Sequence, residues 1–158
     1  GMDEKPAITK IISGGQTGAD RAALDFAIKH HIPYGGWVPK GRLAEGGRVP
    51  ETYQLQEMPT SDYSKRTEKN VLDSDGTLII SHGILKGGSA LTEFFAEQYK
   101  KPCLHIDLDR ISIEDAATLI NSWTVSHHIQ VLNIAGPRAG KDPEIYQATM
   151  DLLEVFLA

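Results

Sequence analysis

The chain has 158 residues, with 16 Lys and Arg against 21 Asp and Glu, for a formal net charge of −5. Such a balance argues against general nucleic-acid binding, which needs a basic surface to displace phosphate counterions, and 41% hydrophobic with 23% charged residues excludes a disordered or fibrous chain. A single cysteine, Cys103, allows neither an internal disulfide nor a multi-cysteine zinc site, and no apolar run approaches the roughly 20 residues that cross a bilayer. No charged-then-apolar signal opens the chain. The expectation is a cytoplasmic protein with one domain over residues 2–158, Gly1 being read as a tag remnant.

In chain order, Ile8–Ser13 (ITKIIS) is a predicted strand and Gly14–Gly18 (GGQTG) a tight turn. A helix follows over Ala19–His31, its Ala23, Leu24, Ala27 and Ile28 falling on one face. Thr17 and Asp20 approximate a capping box at its start. Tyr34–Val38 is a second strand. Pro39 to Asp62 is a long glycine- and proline-punctuated loop, with Lys40, Arg42 and Arg48 as a basic lid or subunit-contact arm. Tyr63–Leu72 is a helix, Thr77–Ser81 (TLIIS) a strand and His82–Ser89 (HGILKGGS) a second glycine loop with Ser89 as N-cap. Helix Ala90–Lys100, strand Cys103–Asp107 and a helix from Ser112, with Asp115 in its cap, to His128 come next. Ile129–Ala135 is the last strand, and Asp142 with Pro143 opens a final helix. His30–His31 and His127–His128 fall at helix C-termini, where positive charge is favoured.

This alternation predicts an α/β, three-layer fold, with a mostly parallel sheet and helices on both faces. In such a sheet the ligand crevice lies outside the carboxyl ends of the strands. The three loops Gly14–Gly18, His82–Ser89 and Gly136–Arg138 converge there, and two run straight into helices whose free N–H groups suit phosphate. The expected ligand is a small phosphorylated molecule. GGQTG is not G-x-G-x-x-G, and Gly136–Lys141 (GPRAGK) has neither the spacing nor the hydroxyl residue of a P-loop.

The segments IISGGQTGADRAALDFAI, GWVPKGR, RTEKNVLDSDGTLII, LKGGSALTEF and LNIAGPR, in that order over nearly the whole chain, resemble the molybdenum carrier protein family. That family belongs to the Rossmann-like group that includes the LOG, or lysine decarboxylase-like, proteins. The resemblance implies a nucleotide-binding fold, a homo-oligomer (dimer or tetramer) and binding of molybdenum cofactor. LOG proteins are similar to phosphoribohydrolases with the signature P-G-G-x-G-T-x-x-E. Here Gly87 and Gly88 match the double glycine, Lys86, Ala90, Leu91 and Phe94 depart from it, and the carboxylate sits one residue early at Glu93.

The first expectation is therefore a carrier that grips a phosphorylated pterin or nucleotide, the pterin dithiolene and not the protein holding any metal. The alternatives are a nucleoside 5′-monophosphate phosphoribohydrolase with Glu93 and Arg66 as catalytic residues, and a nucleotide-sensing module. Candidate binding residues in the first loop and its helix are Gly14, Gly15, Gln16, Thr17, Gly18 and Asp20. Arg66, Thr67 and Asn70 share one helical face. Ser81, His82, Gly83, Gly87, Gly88, Ser89 and Thr92 surround the second loop, and Gly136 and Arg138 leave the last strand. An arginine fork fits phosphate. Glu93 would activate water or stabilise an oxocarbenium ion, with Asp20 as a second carboxylate.

Overall fold

A computed structural model describes residues 5–158; Gly1 lies outside the described residues. The elements are β1 (Lys10–Ile12), α1 (Ala19–Lys29), β2 (Tyr34–Gly35), β3 (Trp37–Val38), a 3₁₀ turn (Lys40–Arg42), β4 (Leu43–Ala44), β5 (Gly47–Arg48) and β6 (Gln56–Glu57). They continue with α2 (Tyr63–Leu72), β7 (Gly76–Ser81), α3 (Gly87–Gln98), β8 (Cys103–Asp107), α4 (Ile113–Ser126), β9 (Val131–Ala135) and α5 (Ile145–Leu157).

Five strands form one parallel sheet in the order β2-β1-β9-β7-β8. Helix α5 packs between α1 and α4 on one face, while α2 and α3 pack together on the other. β7 is buried throughout, which is why its sequence reads as an unbroken apolar run. Ile11, Leu78, Ile80, Ile106, Leu132 and Ile134 join α1, α4 and α5 in the main core. The period-two alternation of a strand sends Thr77, Ile79 and Ser81 to the opposite face, where Asn133 Nδ2 donates to Thr77 Oγ1 across the register at 3.2 Å. The face under α2 and α3 is thus partly polar, and the cleft opens over it.

The strand order explains where the cleft lies. Counting β9 first, then β1, β2, β7 and β8, the sheet reads 3-2-1-4-5, the first five strands of the Rossmann order. The chain is a Rossmann-like sheet whose first strand and helix, β9 and α5, come last. The switch point falls between β9 and β7.

Several predicted boundaries move. The first strand begins at Lys10, since Thr9 instead donates its N–H to the Gln130 carbonyl. The predicted strand 34–38 breaks at Gly36, at φ 135° and so close to the Ser13 carbonyl that a Cβ would sit 2.0 Å from it. Its first half joins the main sheet, and its second half pairs with β6. α3 starts at Gly87, so Ser89 lies in the first turn and is not the N-cap. α5 starts at Ile145 with Glu144 before it, and Asp142 serves the turn that leads in, its carboxylate accepting the Glu144 N–H at 3.0 Å. Ser112 does cap α4, accepting the Asp115 N–H at 3.1 Å. His30 and His127 end α1 and α4, and His31 and His128 take the left-handed positions that follow.

The long loop is a folded strap. Arg42 is buried, donating to the carbonyls of Val49, Pro50 and Tyr53 at 2.8–3.0 Å. It is a structural pin and not a basic lid residue. Tyr53 donates to Asp25 on α1, and Tyr146 on α5 donates to the same carboxylate.

Candidate functional site

A cleft of about 730 Å³ lies over the carboxyl ends of β1, β9 and β7, within the range of small-ligand sites. Its walls bring together most residues expected from the sequence. Gly14, Gln16 and Asp20 come from the first loop and α1, and Arg66, Thr67 and Asn70 from α2. Ser81, His82 and Gly83 leave β7, Gly87, Gly88, Ser89 and Thr92 open α3, and Gly136 and Arg138 leave β9.

Four expected residues do not line it. Gly15 turns toward Leu55, Val38 and Val49 under the strap. Gly18, at φ 83°, backs onto the Pro137 carbonyl. Thr17 forms no capping box, because its hydroxyl donates to Glu45 at 3.0 Å and accepts from the Ala139 N–H. Glu93 points away, toward Cys103, whose thiol is pushed up chiefly by burial and further by the nearby Glu93 and Glu97 carboxylates. Along α3, Gly87, Gly88, Ser89 and Thr92 line the cleft, while Glu93, though four residues after Ser89, lies on the flank of the helix nearer Cys103.

Arg66 is the principal cation. It is buried, spends one N–H on the Gly14 carbonyl at 2.5 Å and lies over the Tyr63 ring at 5.4 Å. No other protein acceptor takes its remaining N–H groups among the described residues, and they are available to a ligand. Asp20 lies just across Gly14: a Cβ on that glycine would be 2.8 Å from Arg66 and 2.9 Å from Asp20. Only glycine lets the two side chains meet over the loop. Asp20 accepts the Gln16 N–H at 3.3 Å. Burial raises its pKa to about 6, against the lowering pull of Arg66, the Gln16 N–H and Arg21.

The floor and far wall are neutral donors. Gly87 and Gly88 open α3 with N–H groups that have no carbonyl partner in their own helix. The Ser89 hydroxyl has no protein partner among the described residues. Some predicted groups are already engaged. Asn70 clamps both backbone groups of Trp37, accepting at 2.8 Å and donating at 3.1 Å, and so positions α2 rather than offering a free amide. Thr92 donates to the Gly88 carbonyl, and Ser81 Oγ contacts the Gly83 carbonyl and His105 Nε2, each at 2.7 Å.

Asn133, Lys86, Lys141 and Asp142 also line the cleft, although none was among the expected binding residues. Asp142 accepts from His82 Nδ1 at 2.5 Å. That bond is the main cause of a raised His82 pKa, against a lowering by burial, so it favours the protonated imidazole at the cleft wall. Asp142→Asn is expected to move the His82 imidazole titration to lower pH, followed by its ring-proton NMR shifts. An unmoved midpoint would mean Asp142 does not set the charge.

A model of the circularly permutated YpsA SLOG family matches residues 11–157. The chain belongs to that family. The permuted order β2-β1-β9-β7-β8 is the structural counterpart of the family description, and the family match puts the chain in the molybdenum carrier and LOG-like Rossmann-like group. No curated protein matches the chain. Among the described residues no helix is long and apolar enough to cross a membrane.

Proposed function

We propose that this SLOG-family chain binds a small phosphorylated ligand in the cleft between β7 and β9, with the phosphorylated pterin of molybdenum cofactor as the leading candidate. The observation that carries the reading is the buried Arg66 guanidinium, with N–H groups unspent, opposite the open N-terminus of α3. These residues fit a phosphate monoester and a flat heterocycle: Arg66, His82 and the Gly88 N–H for the phosphate, Tyr63 and Thr67 beside the ring. When bound, the cofactor brings its own dithiolene ligands to the metal; Cys103, the chain's one thiol, is not part of the cleft wall. The proposal includes a homo-oligomer, supported by exposed Tyr63, Leu72, Phe94 and Tyr99 on and beside α2 and α3.

Native mass spectrometry with AMP and with extracted molybdopterin tests this. The wild type is expected to retain one intact ligand per subunit. Gly88→Val, whose Cβ meets no atom within 4 Å and so leaves the fold intact, is expected to lose at least ten-fold in affinity by filling the cleft. Undiminished retention would place the ligand elsewhere.

Asp20 favours one second reading, a nucleoside monophosphate phosphoribohydrolase. A carboxyl titrating near 6 beside a guanidinium is suited to proton transfer at neutral pH. Asp20, and not Glu93, is then the acid–base group. Release of adenine and ribose 5-phosphate from AMP, lost in Asp20→Asn and kept in Glu93→Gln, would establish it.

A further inference from the structure

We infer that Glu45 occupies a second anion subsite, one that takes a distal phosphate of the ligand when the strap is displaced. The inference rests on the cleft being a site for a phosphorylated ligand.

Glu45 sits at the tip of the β4–β5 hairpin. Its carboxylate accepts the Gly140 N–H at 2.7 Å, the Thr17 hydroxyl at 3.0 Å and the Arg138 Nε–H at 2.7 Å. One backbone N–H, one hydroxyl and one guanidinium converging on a single anion form the donor set of a phosphate site. Burial pushes the Glu45 carboxyl up, yet the Gly140, Thr17 and Arg138 donors together hold it below the ordinary range. The site prefers an anion. Gly140 is shaped for one, since a Cβ there would lie 2.2 Å from Glu45 Oε2.

The subsite adjoins the main cleft. Arg138 and Gln16 line the cleft, and Gln16 Oε1 also accepts the Glu45 N–H at 2.7 Å. The loop that supplies Arg138 and Gly140 follows β9, the first strand of the unpermuted order, where Rossmann-like sheets hold phosphate. Arg138, expected from the sequence to meet ligand, is instead satisfied by an internal carboxylate.

The occupant is displaceable. The Arg138 side chain is about half exposed (48%) and that of Glu45 about a third (31%), and ion pairs this exposed contribute little net stability. A phosphate brings more charge and more acceptor oxygens than one carboxylate. Leu43, Gly46, Gly47 and Arg48 are all exposed, so Glu45 is what ties the hairpin tip down. The ligand class is therefore a molecule that carries a second anionic group beyond the phosphate monoester held at Arg66. One group sits at Arg66 and the other replaces Glu45.

The test uses inorganic pyrophosphate as probe, by isothermal titration calorimetry on the full chain. Glu45→Gln is expected to bind it at least ten-fold tighter than wild type, and adding Arg138→Met should erase the gain. In the wild type, saturating pyrophosphate should speed tryptic cleavage after exposed Arg48, a readout that does not depend on any variant folding. Unchanged or weaker binding by Glu45→Gln, a gain that survives Arg138→Met, or an unchanged cleavage rate overturns the subsite. The cleft reading fails separately. If AMP and molybdopterin are not retained while the pyrophosphate results hold, the subsite stands and the cleft reading falls; retained ligand with no effect at Glu45 is the reverse.

Discussion

Asp20→Asn is expected to raise stability at pH 7.5 by up to about 3 kcal/mol, or roughly 5–10 °C in Tm. The side chain is buried, and its pKa is raised from 3.8 to about 6, chiefly by desolvation. Between those two values the folded chain holds a proton that the unfolded chain has released. Stability from this group is therefore full below about pH 3.8, and it is lost as pH rises through about 6. Asparagine keeps the shape and the acceptor for the Gln16 N–H while removing the buried charge. Calorimetry at pH 4 and 7.5 should show little difference between the two proteins at the lower pH and the full difference at the higher. An equal offset at both would mean that ionisation of Asp20 is not the cost. A destabilising carboxylate at the base of a cleft has the pattern of a group kept for binding or chemistry.

Gly136→Ala is expected to destabilise by more than about 3 kcal/mol. The added methyl would lie 2.4 Å from the Ile80 carbonyl and 2.6 Å from Ala19 Cβ, neither of which can rotate away. It would force β9 from β7 and α1 at the switch point, so ligand retention should fall with stability. Gly88→Ala is the matched control. It lies in the first turn of α3 with open space around the added methyl, and should change stability by less than about 1 kcal/mol. Urea midpoints compare the two. A Gly136→Ala midpoint close to wild type would mean that the strands separate without penalty there.

The parallel sheet was legible because its strands are short apolar runs between amphipathic helices. Arg66, His82 and the Gly87–Gly88 pair were legible because they follow strands or share a helix face. Glu93 reads as a site carboxylate because it stands beside the acidic position of the matched signature, but the α3 residues that reach the cleft are Gly87, Gly88, Ser89 and Thr92 in its first turns. Gly15 and Gly18 read as ligand glycines but serve close backbone packing, a distinction that spacing alone does not carry. The site roles of Glu45, Asn133 and Asp142 were not legible because each meets its partner across the fold: Glu45 is bonded to Gly140, 95 residues away, and His82 to Asp142, 60 away. Of the basic residues expected in the long loop, Arg42 is the one the structure removes, for a related reason. Arg42 looks like surface charge in the sequence, yet three nearby carbonyls give a buried guanidinium all it needs.

The permuted order has a consequence for the nascent chain. On the ribosome β1, β2, β7 and β8 are all made before β9, which belongs between β1 and β7. Until β9 emerges, the β1–β2 and β7–β8 pairs have no common partner, and each presents an unpaired inner edge open to the wrong strand. The centre of the sheet is the last part to be translated. In the unpermuted arrangement that strand is made first and the others can add outward from it, so this chain depends more heavily on protection of exposed strand edges during synthesis.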